Sequence, residues 1–421
     1  MLNRNEITTM IQSGRVAEAR QRCRDEVAQG CADAHTWLLL GACEQRMENP
    51  EAALEALQKA AQATNDTAAL QQIADAMMKL REFEAAARVV ARLDFSRPQS
   101  VLLQARCRWG LGEHAAALEQ LRALSEIVPK WTMLAISHAR MLINLDLPDE
   151  ALEVVDRALS ANSGELQLVR QKALLLVSLQ GTGSACEWLA DQPRRNPALE
   201  ALFDALQFVE GREGPLPSHS GPQWEGFCHL FDAAAGTAWF GDNVALLRHA
   251  LSCAPARGAV VECGVFHGRT ASLLARWAPQ RRVFGFDSFQ GLPEAWSGHE
   301  PAGSYSTGGR LPEVPQNVEL RAGWFDQTLP EFAAGLDQPI ALLHVDCDLY
   351  TSAAQVLSAL GPCLAPGTVV VFDEYTGYAG WRDHEHRAWR EYLAQSGADA
   401  GLHSAQLVGQ SAAFEITRVR A

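Results

Sequence analysis

The sequence lacks a basic charge excess. Its 421 residues hold 36 Lys and Arg against 50 Asp and Glu, a formal charge of −14. Nothing global draws such a chain to a phosphate backbone, so electrostatically driven nucleic-acid binding is not expected. Long apolar runs are also missing. Stretches such as ALLLVSL at 173–179 fall far short of the roughly 20 residues a membrane span needs. The start, MLNRNEITTM, has no apolar signal-peptide core. The ten cysteines, at 23, 31, 43, 107, 186, 228, 253, 263, 347 and 363, form no C-x-x-C pair. They read as reduced thiols of a cytoplasmic protein, against a disulfide framework or a zinc site. With 48% hydrophobic and 20% charged residues, the composition argues against disorder and supports two or three domains.

The first half of the chain repeats. RVAEARQRC, PEAALEALQ, FEAAARVVA, HAAALEQLR, PDEALEVVD and GSACEWLAD place a small residue at 19, 53, 86, 117, 151 and 186. The spacing stays near the tetratricopeptide period of about 34 residues. The pattern resembles tetratricopeptide repeats (TPR): two helices per unit, small residues where backbones approach, and stacking that buries the apolar stripes. Five to six helical pairs are expected over 1–210, forming an all-α solenoid. The segment 211–223, rich in Gly, Pro and Ser, reads as a linker to a second domain at 224–421.

From residue 258 the period changes. Short apolar strands at 259–263, 283–286, 318–320, 340–345 and 368–372 alternate with helical stretches. This implies a doubly wound, mostly parallel sheet with a Rossmann-like arrangement. Ligands of such sheets bind beyond the carboxyl ends of the strands. Four strand ends here are acidic: Glu262, Asp287, Asp346 and Asp373. The first turn, E-C-G-V-F-H-G, lacks both the dinucleotide G-x-G-x-x-G and the P-loop Lys-Ser/Thr. Gly264 is expected to bring backbone close to a ligand. Asp287 sits where a carboxylate accepts both hydroxyls of a ribose. An adenosine without phosphates, as in S-adenosylmethionine (SAM), fits this combination.

VVECGVFHGRT, FDSFQGLP, AGWF, HVDCDLY and APGTVVVFDEY follow one another in this order. Together they resemble the macrocin O-methyltransferase (TylF) family of SAM-dependent enzymes over residues 240–395. The resemblance implies that Glu262 and Gly264, with Gly268 closing the turn, contact the methionine part of SAM. Asp287 and Ser288 would hold the ribose, Trp324 and Phe325 would lie near the adenine, and Asp346 would border the cofactor. It further implies a divalent metal, taken as Mg²⁺, on Asp346, Asp373 and Glu374, which lowers the pKa of a substrate hydroxyl. The family shows two adjacent aspartates where this chain has Asp373-Glu374. Related catechol-type enzymes carry a lysine base where this chain has Leu349. Asp348, His384 and His386 are the remaining candidates for the general base, although Asp348 also reads as a helix cap.

The expected function is O-methylation of a sugar, glycosylated natural product or related small molecule. A glycan or peptide acceptor also remains open, as do a protein partner on the repeats and self-association. Two alternatives stand beside it: a metal-independent N- or peptide methyltransferase, and a TPR adaptor with a non-catalytic SAM-binding module. The histidine- and aromatic-bearing segment 375–390 reads either as acceptor-pocket lining or as a surface loop with a helix start. His344, inside a strand, reads as a packed structural histidine.

Overall fold

The computed structural model describes residues 4–193, 196–233, 236–296 and 300–419. Packing divides the chain into two compact units, Met1–Pro129 with Gln290–Ser306, and Lys130–Phe289 with Thr307–Ala421. The first unit holds the helix pairs Arg4–Gln12/Val16–Ala28, Ala34–Arg46/Pro50–Gln62, Thr67–Lys79/Phe83–Val90 and Pro98–Gly110/His114–Ile127. The second opens with Thr132–Asn144/Pro148–Ala161 and Leu166–Gln180/Thr182–Ala190, then Pro197–Val209.

The fourth residue of each second helix is Ala19, Ala53, Ala86, Ala117, Ala151 or Ala185, and all six are fully buried. A methyl group is all that fits where two helix backbones close on each other. Packing corrects the sequence register in the last pair: Ala185 takes the buried position, and Cys186 is partly exposed. Within the stripe of Ala34–Arg46, Glu44 is buried and paired with Arg24 at 2.8 Å and Arg20 at 3.5 Å.

A second feature recurs with the repeat. Two residues before each of the first five second helices, Gly14, Glu48, Arg81, Gly112 and Asp146 have φ between 59° and 82°. A left-handed residue ends the preceding helix, and glycine does so without strain. A side chain there costs about 1–2 kcal/mol, so a non-glycine needs a compensating bond. Arg81 has one in the first unit, donating to Tyr305 Oη at 2.9 Å and facing Glu300 at 3.6 Å. Asp146 has one in the second, accepting from Trp277 Nε1 at 2.8 Å and pairing with Arg248 at 3.0 Å. No such bond explains Glu48. Glu48→Gly is therefore expected to be neutral or stabilising by up to about 1 kcal/mol. Asp146→Gly should destabilise by about 1–2 kcal/mol, because two charge-assisted bonds outweigh the relieved strain. Urea unfolding of the two variants checks the contrast.

The sheet has eight strands: β1 (Ala238–Phe240), β2 (Ala259–Cys263), β3 (Val283–Asp287), β4 (Val318–Ala322), β5 (Ile340–Val345), β6 (Leu364–Phe372), β7 (Asp399–Gln406) and β8 (Ala412–Arg418). Their order is β1-β7-β8-β6-β5-β2-β3-β4, with β8 antiparallel to both neighbours and the remaining pairs parallel. β2 and β5 are buried on both faces, as their near-continuous apolar runs, interrupted only by Glu262 and His344, require. The helices Pro222–Phe231 and Asn243–Cys253 flank β1.

The linker marks a change of secondary structure, while the packing changes earlier. Leu199, Leu202 and Leu206 from before it, and Trp224 and Phe227 from after it, share one apolar core with Val261, Leu343 and Val370 of the sheet. Further bonds link the second unit's helices to its sheet: Ser178 Oγ lies 2.6 Å from Asp242 Oδ2 and accepts from the Gly241 N–H at 3.0 Å.

Candidate active site

β2 lies between β3 and β5, so the chain reverses its direction of strand addition there, and a crevice opens at the carboxyl ends. The parallel register pairs Cys263 with Val345 and Val345 with Phe372. Backbone bonds carry the ladder one step further. Gly264 N–H donates to Phe286 O at 2.9 Å, Asp346 N–H to Cys263 O at 2.9 Å, and Asp373 N–H to Val345 O at 3.0 Å. The acidic tips of four adjacent strands are thus held side by side.

Gly264 serves this arrangement directly. Its φ is +100°, and a Cβ on it would lie 1.6 Å from the Asp346 carbonyl oxygen. The close approach expected of this glycine is therefore to the tip of β5. Gly268, at φ +72°, caps helix Arg269–Trp277 beneath Val314 and Pro312. Asp287 folds its carboxylate onto the same turn. Oδ2 accepts from the Val265 and Phe266 N–H groups, both at 2.8 Å, and Oδ1 from Phe289 N–H at 2.7 Å. Ser288 follows it, half-buried. Trp324 precedes helix Phe325–Ala334, and Phe325 packs against the main core.

Asp346, Asp373 and Glu374 converge, each offering a carboxylate oxygen within 4.8 Å of the others. Their electrostatics are uneven. Burial and the Asp373 charge push the Asp346 carboxyl well above its ordinary range. Burial and the Asp373 and Asp348 charges do the same to Glu374. Asp373 goes the other way: burial opposes ionisation, but His344, Asn243 and Arg269 hold its pKa down at about 2. Asn243 Nδ2 donates to Asp373 Oδ1 at 3.0 Å, and Ser411 Oγ to its carbonyl at 2.9 Å. Glu374 Oε2 is buried without a hydrogen-bond partner.

His344 sits behind the cluster. Its Nδ1 is 3.0 Å from Glu262 Oε1, and its Nε2 4.0 Å from Asp373 Oδ1. Burial alone would lower its pKa, but Asp373 and Glu262 raise it to about 10. The two carboxylates on either side favour its protonated form. The second oxygen of Glu262 is buried and unpartnered.

These shifts set a stability–pH relation. A histidine raised from about 6.5 to about 10 contributes fully below pH 6.5, and that contribution is lost as pH rises toward 10. The raised Asp346 and Glu374 carboxyls favour the protonated fold and act in the same direction. In EDTA, the melting temperature is expected to fall steadily from pH 6.5 to pH 10. Scanning calorimetry of wild type and His344→Gln checks this, with a shallower fall in the variant.

Sequence reasoning missed Glu385. It is fully buried, and its Oε2 accepts from Glu374 N–H at 3.1 Å while Oε1 lies 3.5 Å from Cys347 N. It pins the backbones of both carboxylate tips from helix Glu385–Ser396. The flanking histidines face elsewhere. The His386 ring packs on Trp381, His229 and Tyr375 at 4.8, 4.9 and 5.2 Å. Burial, with His229 and Arg390, lowers its pKa to about 4. His384 occupies the helix N-cap, its ring 6.1 Å from that of Tyr378. Segment 375–390 forms a loop that leads into helix Glu385–Ser396, with Tyr375, Trp381 and Trp389 buried and Ala379, Gly380, Arg382 and Asp383 exposed. Asp348 is buried at φ +60°. Helix Tyr350–Leu360 begins just after it, with Leu349 at the N-cap.

Residues 261–375, which carry β2 through the tip of β6, match a family model described as a methyltransferase domain. A Streptomyces olivaceus 8-demethyl-8-(2,3-dimethoxy-alpha-L-rhamnosyl)-tetracenomycin-C 4'-O-methyltransferase is 33% identical over 28% of this chain and 53% of its own. A Streptomyces niveus demethyldecarbamoylnovobiocin O-methyltransferase is 31% identical over the same shares. The chain thus spans about half the length of these curated relatives. Among solved structures, the O-methyltransferase NovP aligns over 44% of this chain and 84% of its own, at 24% identity and a TM-score of 0.34. A thermophilic TPR protein of Thermus thermophilus aligns over 42% and 99%, at 18% identity and a TM-score of 0.34. The chain carries a methyltransferase domain at residues 261–375, joined to TPR-like helix hairpins.

Proposed function

We propose that the chain is a SAM-dependent, metal-assisted O-methyltransferase acting on a hydroxyl of a sugar or glycosylated small molecule. The observation that carries this reading is the convergence of Asp346, Asp373 and Glu374 at two adjacent strand ends. Three carboxylates so close repel one another, and burial together with that repulsion raises the Asp346 and Glu374 carboxyls. An all-oxygen donor set with a buried, unpartnered Glu374 Oε2 fits a hard divalent cation such as Mg²⁺. This favours the metal-assisted reading over metal-independent transfer, with Glu374 as the third ligand.

When bound, the metal supplies Lewis-acid charge that acidifies an acceptor hydroxyl. The chain's own part is positioning and acid–base work. Glu262, with a buried unpartnered oxygen, suits the ammonium of the methionine part of SAM. Gly264 and Gly268 shape the turn beside the methionine part, Asp287 and Ser288 lie beside the ribose, and Trp324 and Phe325 flank the adenine. Asp348 takes the hydroxyl proton. It lies close enough to Asp346, Glu374 and Glu385 for its charge to shift all three. His386, kept neutral and engaged in ring packing, is the weaker candidate, and so is His384 at its helix cap.

The acceptor class rests on the relatives, one of them named for methylating a rhamnosyl group. Helices of 166–209 share the core of the sheet, which favours a structural role for them over recruitment alone. Tritium-labelled SAM with a panel of aryl rhamnosides tests the reading, and transfer to none of the sugar hydroxyls would sink the acceptor class. Asp348→Asn is expected to lower kcat by about 10²–10⁴ with KM little changed, a general-base effect. Its residual rate should lose the acidic limb of the pH profile.

A further inference from the structure

We infer that His249, Cys253 and His403 form a second metal site, of nitrogen and sulfur donors, that takes Zn²⁺ or a metal of similar softness. It goes beyond the proposed methyl transfer, which uses none of the three. Each offers a ligand atom within 4.8 Å of the others. His249 and Cys253 stand four residues apart on helix Asn243–Cys253, so they share one face. Cys253 Sγ lies 3.7 Å from His249 Nε2. Zn–N and Zn–S bonds of about 2.05 and 2.3 Å at a tetrahedral angle put these atoms about 3.6 Å apart. The pair already stands at a chelating distance.

The third donor comes from the sheet. His403 lies on β7 where the register with β8 shifts between Leu402 and Ser404. A bulge of this kind re-aims a side chain. Here the His403 ring stands 5.2 Å from that of His249. Its Nδ1 is 3.2 Å from Ser404 Oγ, an orienting bond of the sort that fixes metal-binding imidazoles. Burial keeps both histidines below their ordinary pKa, in the neutral form that donates a lone pair. Glu415 on β8 adds a negative charge felt by His403. Cys253 is exposed, so metal and solvent reach the site and the fourth position is left to water. Binding exchanges the thiol proton for a metal–sulfur bond, with the proton released to solvent. The cysteine spacing points away from zinc because two ligands come from one helix and the third from a distant strand.

Co²⁺ titration of the EDTA-treated full chain tests this, read by the sulfur-to-cobalt charge-transfer band and tetrahedral d–d bands. One equivalent should develop both, and Zn²⁺ should bleach them. Loss of an orienting partner alone costs such sites about 10–100-fold, so His403→Ala should weaken binding by at least 100-fold. Cys253→Ser should abolish the charge-transfer band while the exposed, surface position leaves folding intact by circular dichroism. Asp346→Asn should leave the band in place, which separates this site from the carboxylate cluster. No charge-transfer band in wild type, a band that survives Cys253→Ser, or one that disappears only with Cys31→Ser would each overturn the assignment.

Discussion

Asp346→Asn is expected to lower methyl transfer at least about a thousandfold while changing the affinity for S-adenosylhomocysteine by less than about tenfold. The reasoning starts from the cluster. Asp346 is one of three carboxylates whose oxygens lie within 4.8 Å. Replacing one charged ligand by a neutral amide weakens the site for a hard cation. Lewis-acid stabilisation is worth several kcal/mol, and each 1.4 kcal/mol is about a factor of ten in rate. Glu262 and Asp287, which we propose hold SAM, keep their bonds to His344 and to the glycine turn, none of which passes through the Asp346 side chain. Turnover with labelled SAM and calorimetry with S-adenosylhomocysteine separate the two quantities. Equal losses in both would mean that Asp346 acts mainly in holding SAM.

Gly264→Ala is expected to be the most damaging single-atom change in the second unit. Its Cβ would lie 1.6 Å from the Asp346 carbonyl oxygen and 2.6 Å from the carbonyl carbon. Backbone cannot yield there as a flexible side chain would, because Asp346 N–H is tied to Cys263 O and Gly264 N–H to Phe286 O. The left-handed φ of +100° adds about 1–2 kcal/mol of strain. A destabilisation above about 4 kcal/mol is expected, with loss of divalent-cation binding in whatever fraction folds. Chemical denaturation and Mn²⁺ binding on the same sample check both. A variant of wild-type stability would show that the two tips are not packed as described.

The parts of this architecture legible in the sequence are those fixed by short-range periodicity. Buried alanines at the repeat period announce the hairpins, because a helix pair admits only a small residue at its crossing. Apolar runs ending in Glu262, Asp287, Asp346 and Asp373 announce the central strands, because a strand buried on both faces has no polar alternation to hide it. β7 and β8 escape this logic: DAGLHSAQ is polar and interrupted by Gly401, and β1 has three residues. Glu385 escapes it too. Its neighbours His384 and His386 look more reactive, yet helix geometry turns Glu385 inward to the Glu374 and Cys347 backbones. Asn243, which steadies Asp373, lies 130 residues away in the chain, beyond the reach of any local pattern. The linker at 211–223 stands out in composition, but composition does not report that helices on both sides of it enter one core.

The central claim is that the tips of β5 and β6 hold a divalent cation. The most direct test is a Mn²⁺ titration of the EDTA-treated full chain, followed by electron paramagnetic resonance. The account predicts one bound Mn²⁺ per chain, displaced by Mg²⁺ and lost in the Asp346→Asn/Asp373→Asn double variant. A double variant that binds Mn²⁺ as wild type does, or a wild type that binds none, would contradict it.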